Sequence, residues 1–275
     1  MDRRHFLTWL SVGAAAAAAG ACSDPAVQRR SSPAPLPGRD EFPLPGGGSP
    51  ATAPSPVPVP PPVPGPPVVL SHSLTTTRRI ALTIDDGFDA ETVSAYVAFA
   101  QDSGIALTFS PNGLYRHVWE PHARVLRPLI EAGQVQIGNH TYDHKDLTRL
   151  TDGQVREQVE RNEAWIERTF GTTGRPYLRP PYGFHDERTD VLAGDLGYTR
   201  ILMWNASFGD SRLLTPQVLM AQARRYLVPG AVVLGHANHP TVTHLYEQIL
   251  ELLHERDLTP VTLDTMFGTR RVTGT

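Results

Sequence analysis

The stretch RIALTIDDGF, Arg79 to Phe88, decides the fold class. Ile80 to Ile84 are apolar or β-branched without alternation, and Gly87 closes the run. That pattern fits an apolar strand of a mainly parallel sheet. Asp85 and Asp86 stand side by side at its end. Neighbouring carboxylates repel unless a cation or a shared proton relieves them, and a metal ion is the simplest relief. A strand-end Asp pair also fits a turn or a helix cap.

Outward from this run, short apolar segments alternate with segments of helical period, the signature of a β/α protein. Strands are expected at Ile80–Asp85, Ile105–Ser110, Val135–Asn139, Tyr177–Arg179, Arg200–Asn205, Val232–Gly235 and Pro260–Leu263. Helices are expected over Ala90–Asp102, His122–Ala132, Gln154–Phe170, Asp186–Leu196, Pro216–Leu227 and Thr241–Arg256. Thr151 and Thr215 read as N-caps, the latter followed by a first-turn proline. Periodicity alone fits a closed barrel as well as an open sheet.

The unusual polar residues follow the strand ends: Asp85-Asp86, His140 and His144, Arg179 and Tyr182, Asp210, then His236. In β/α folds that end of the sheet carries the active site. In NHTYDH, Asn139 to His144, one helical turn would bring both imidazoles to the same side. Such a pair also occurs on solvated helices. Joined by a strand-end Asp, it makes a three-ligand set with a position left for water, the composition of a catalytic metal centre.

In this order, TIDDGF, NHTYDH, LRPPYG and VLGH resemble the motifs of the NodB-homology polysaccharide deacetylases, carbohydrate esterase family 4, from about Ile80 to Asp264. The resemblance implies a distorted (β/α) barrel of seven or eight parallel strands, a bound divalent metal and removal of acetyl groups from N-acetylated glycans. By matched position, Asp86, His140 and His144 would hold the metal. Zn²⁺ is the default, and Co²⁺, Ni²⁺ or Mn²⁺ suit the same ligands. Asp85 would be the general base and Arg179 its orienting partner. The Tyr182 N–H would receive the oxyanion, and His236, held charged by Asp210, would protonate the leaving amine. Taken singly, Arg179 also reads as a surface ion pair and His236 as a core histidine.

The family's Trp-x-x-Asp-x-x-Asp-Trp segment corresponds here to WNASFGDS, in which Trp204 and Asp210 fit. Ser207 stands where an acid is usual, and Ser211 replaces a tryptophan that lines the acetyl groove. A groove bounded by Tyr182 and Trp204 would then be wider, or completed by Leu234 or Trp119.

The chain has 275 residues, 40% of them hydrophobic, and a formal net charge of −3, enough for one sizeable core. With no basic block, nucleic acid is excluded as a partner. Residues 1–22 have a basic head, an alanine-rich apolar run and small residues before Cys22, the sole cysteine. This layout resembles a twin-arginine signal ending in a lipobox, with Cys22 lipidated. Residues 23–77, rich in proline, read as a disordered stalk, leaving 78–275 as the catalytic domain. The expected setting is the outer face of the cytoplasmic membrane, or the cell envelope after secretion. The expected partners are a lipid membrane and an acetylated wall glycan such as the N-acetylglucosamine or N-acetylmuramic acid of peptidoglycan, with the protein a monomer. Deacetylation of another envelope glycan, O-deacetylation and a non-catalytic, metal-bearing glycan-binding protein are the competing functions.

Overall fold

A computed structural model describes residues 61–74 and 77–268. Its strands are β1 (Val68–Leu70), β2 (Arg79–Asp86), β3 (Leu107–Pro111), β4 (Val135–Ile137), β5 (Tyr177–Leu178), β6 (Arg200–Leu202), β7 (Ala206–Ser207), β8 (Val232–His236) and β9 (Thr259–Pro260). Its helices are α1 (Ala90–Ser103), α2 (Arg116–Trp119), α3 (Ala123–Glu131), α4 (Asp152–Phe170), α5 (Glu187–Asp195), α6 (Pro216–Tyr226), α7 (Tyr246–Glu255) and α8 (Leu263–Phe267).

All paired strands are parallel. One sheet runs β4-β3-β2-β8-β7 and another β1-β6-β5, with β9 beside β2. A parallel bridge from Asn139 to Leu178 joins the end of β4 to β5, and the chain passes within a few residues from β6 into β7. The strands thus follow one another around a distorted barrel. As its apolar run requires, β2 is buried on both faces from Ile80 onward. Ile80, Leu82 and Ile84 pack with the helices in the largest apolar cluster. Ala81 packs inward with Tyr177, Leu202, Val232 and Leu263. Above that plug Thr83 and Leu234 lie in register, and above them Asp85 and His236. Polar chemistry therefore starts where the apolar filling stops.

The domain starts earlier than Arg78. Val68–Leu70 pairs with β6, Gly65 N–H donates to Gly194 O, and His72 bridges Ala231 before β8. The end of the proline-rich segment thus fills the gap between β6 and β8. Prolines mask a three-residue apolar strand, Val-Val-Leu, which needs no more than its own backbone donors and acceptors. Residues 1–60, with the leader, Cys22 and most of the expected stalk, lie outside the described residues.

Two further expectations change. Thr262 accepts from Thr265 N–H and caps α8, so Leu263 begins a helix rather than ending a strand. The helix expected over Thr241–Arg256 is a 3-10 turn, Pro240–His244, followed by α7, because Leu245 leaves helical geometry. The caps at Thr151 and Thr215 form as read.

Candidate active site

Asp86 ends β2 with φ 64°, and Gly87 follows at φ 99°. A side chain on Gly87 would collide with Trp119, whose Nε1–H donates to Asp86 O at 2.9 Å. Trp119 is therefore a buried prop for the turn and not a groove wall. Asn238 donates to Asp86 Oδ2 at 2.8 Å and accepts from the Gly87 N–H at 3.1 Å. Asp86 Oδ1 is left buried without a hydrogen-bond partner.

The two histidines reach that oxygen, although not by a helical turn. NHTYDH is a loop in which Thr141 and His144 have φ 66° and 53°. His140 Nε2 stands 3.4 Å and His144 Nε2 3.5 Å from Asp86 Oδ1. His140 Nδ1 is 2.7 Å from the Arg179 carbonyl, which can only accept, so Nδ1 carries the hydrogen and Nε2 faces the carboxylate. The three ligand atoms lie within 4.8 Å of one another. An orphaned buried carboxylate oxygen between two imidazole nitrogens fits a divalent cation.

Electrostatics agree. Burial would raise Asp86, but the close approach and charge of His140, with His144 and His236, hold its carboxyl below the ordinary range. Burial and the adjacent His140 push His144 down to about 4. For His140, burial opposes the charge, yet Asp85 and Asp86 outweigh it and raise the pKa. A cation entering there would displace that proton.

Asp85 is held differently. Arg179, fully buried, donates from Nη1 to Asp85 Oδ2 at 2.7 Å and from Nη2 to Thr83 Oγ1 at 3.0 Å, so it is no surface ion pair. Asp85 Oδ1 remains buried and unpartnered. Opposite, His236 Nδ1 is 2.9 Å from Asp210 Oδ1, and Asp210 Oδ2 accepts the His236 N–H at 3.1 Å. Burial opposes a charged His236, but the Asp210 bond and the field of Asp210, Asp85 and Asp86 raise its pKa.

A family model described as polysaccharide deacetylase matches residues 72–201. An uncharacterized protein of Streptomyces coelicolor is 29% identical over 196 residues, covering 70% of this chain and 74% of that one. A peptidoglycan-N-acetylglucosamine deacetylase of Bacillus cereus is 26% identical over 197 residues, covering 70% and 69%. A Bacillus anthracis protein described as a CE4 family pseudoenzyme superposes with TM-score 0.65 at 21% identity, covering 75% and 71%, and speaks to the fold alone.

Over residues 72–201 the chain matches the polysaccharide deacetylase family.

The family model stops before Asp210 and His236, so that pair stands on its own geometry. Tyr182, with φ 59°, is exposed at the rim and sets its ring edge-on to His144 at 4.5 Å. Trp204, half-buried, lies under the Arg179 guanidinium at 5.3 Å and touches the backbone of Gly183. Leu234 is buried one layer beneath Asp85 and His236, a floor rather than an open wall. In the segment that departs from the family pattern, Ser207 Oγ accepts from Gly209 N–H at 2.9 Å and Ser211 is exposed.

Sequence reasoning missed the residues that hold the deacetylase site together. Besides Asn238 and Thr83, Asn112 donates to the His140 and Thr141 carbonyls at 2.6 and 2.9 Å. Gln158 and Asn162 face the NHTYDH loop from the buried side of α4.

Proposed function

We propose that this chain is a metal-dependent hydrolase that removes N-acetyl groups from a cell-envelope polysaccharide, with the amino sugars of peptidoglycan as substrate. The observation that carries the reading is the presence of two ion-paired groups at the ends of neighbouring strands beside the Asp86–His140–His144 set, Asp85 with Arg179 and His236 with Asp210. One needs a proton acceptor and one a proton donor to hydrolyse an amide.

Asp86, His140 and His144 would hold the cation. When bound, it would polarise the acetamido carbonyl and lower the pKa of a water. Asp85 Oδ1, free while Oδ2 is pinned by Arg179, accepts the proton lost by the attacking water. The backbone N–H of Tyr182 receives the negative charge that develops on the carbonyl oxygen. When the C–N bond breaks, the amine leaves only if protonated, and His236 Nε2 gives that proton while Asp210 retains Nδ1. Acetate and a free amino sugar result. The exposed rings of Tyr182 and Phe184 suit the apolar face of a pyranose.

The peptidoglycan assignment is supported by the names of relatives such as the Bacillus cereus enzyme. Export and anchoring through Cys22, with the proline-rich segment as spacer, form part of the same proposal and rest on the amino-terminal sequence. A spacer lets a tethered domain reach a polymer it could not otherwise touch.

A non-catalytic binding reading has one point in its favour, since the fold also houses a pseudoenzyme and Ser207 and Ser211 depart from the family pattern. Against it, a binding protein has no use for the buried Arg179–Asp85 pair or the Asp210–His236 pair. Acetate release should be measured on purified peptidoglycan and on a soluble N-acetylglucosamine oligomer. Release from both, faster from peptidoglycan, is expected. Release from the oligomer alone would overturn the wall substrate, and release from neither the enzyme reading.

A further inference from the structure

Helix α4 carries four polar side chains, Gln158, Asn162, Glu163 and Thr169, on its buried face. A buried amide left without partners is destabilising, and both amides are engaged. Their partners converge on the loop bearing the histidines. Asn162 accepts the Gly113 N–H at 2.7 Å and donates to the Pro111 carbonyl at 3.1 Å and to Asn139 Oδ1 at 2.9 Å. Asn139 Oδ1 in turn accepts the Thr141 N–H at 2.9 Å. One helical turn earlier, the Gln158 side chain accepts the Asp143 N–H at 2.8 Å and donates to Asp143 Oδ2 at 2.9 Å, while its backbone carbonyl accepts the Tyr142 N–H at 3.1 Å.

Between these anchors Thr141 and His144 sit in the left-handed region, at φ 66° and 53°. Non-glycine residues hold that conformation only where surrounding structure over-determines it. The two ends of the loop are not equally secured. His140 is also tied by Nδ1 to the Arg179 carbonyl and by its own carbonyl to Asn112. Asp143, next to His144, is hydrogen-bonded to another element only through Gln158, among the described residues.

We propose that α4 holds the cation-binding geometry of His140 and His144 through two buried amides, Asn162 at the His140 end and Gln158 at the His144 end. Both are positioning residues for metal affinity, and Gln158 has the larger effect because fewer other bonds restrain its end. The inference rests on Asp86, His140 and His144 being a metal centre.

The test is calorimetric titration of Zn²⁺ into the chelated and desalted full chain, its Gln158→Met variant and its Asn162→Asp variant. Circular dichroism checks that each is folded. Gln158→Met should bind Zn²⁺ roughly 10- to 100-fold more weakly, the range for lost outer-shell partners, and keep its kcat within about threefold at saturating Zn²⁺. Asn162→Asp, which keeps the acceptor for Gly113 and loses both donated bonds, should lose about tenfold. Zn²⁺ affinity within about twofold of the parent in folded Gln158→Met would overturn the inference. If Gln158→Met does not fold, the same threshold applied to Asn162→Asp decides. A parent chain that takes up no Zn²⁺ overturns the metal reading, and this inference with it.

Discussion

Arg179 serves two chemical groups at once: its guanidinium bonds Asp85 Oδ2 at 2.7 Å, and its backbone carbonyl meets His140 Nδ1 at 2.7 Å. One residue thus couples the expected base to an expected metal ligand. Arg179→Ala removes the guanidinium paired with the buried Asp85, and breaking a buried pair in this way costs about 3–5 kcal/mol. Chemical denaturation should show that loss. Asp85→Asn, which removes charge without a cavity, should leave Zn²⁺ binding near the parent value and lower kcat by on the order of 10²–10⁴.

The pH dependence of kcat should fall on the alkaline side as His236 deprotonates. Its folded pKa is raised above 6.5, so the acid form needed for the leaving amine is present below that pKa and lost as pH rises through it. Asp210→Asn removes the counter-charge but not the burial. The alkaline limb should then move to lower pH, and an unmoved limb would separate Asp210 from the acid.

Zn²⁺ should raise the melting temperature of the chelated protein, because a ligand at about 100 times its Kd stabilises the folded state by about 2.7 kcal/mol. Asp86→Ala and His144→Ala should abolish the increase. Affinity should also weaken as pH falls, since the cation must displace the proton that Asp85 and Asp86 hold on His140.

A chain begun at Arg78 should be less stable than one begun at Pro61. It lacks β1, whose backbone bonds cover β6, and Leu70, which packs beside the barrel plug. Net contributions of about 0.5–1.5 kcal/mol per hydrogen bond put the loss at about 2 kcal/mol or more. Equal urea midpoints for the two chains would show β1 to be dispensable.

Much of the barrel was legible because burial writes itself into composition. Ile80 to Ile84 reads as a strand of a parallel sheet and is one, and each strand-end polar residue singled out in the sequence lies at the site or its rim. Short elements escaped. Val68–Leu70 is hidden by prolines, and Leu263 looks like strand until the Thr262 cap is seen. The supporting residues were illegible for another reason: Asn112 and Asn238 act through side-chain bonds to backbone groups distant in sequence, which no period records. Asn162 left a trace, falling three residues after Val159 and four before Ile166 on the buried side of the helix, where a polar residue needs a partner.

The most direct measurement is acetate release from an N-acetylglucosamine oligomer by the parent chain and by Asp85→Asn, each after chelation and again after Zn²⁺ is restored. The account predicts release by the parent that vanishes with the chelator and returns with Zn²⁺, and little release by Asp85→Asn in either state. Equal release from chelated and Zn²⁺-loaded parent, or release by Asp85→Asn at the parent rate, would contradict it.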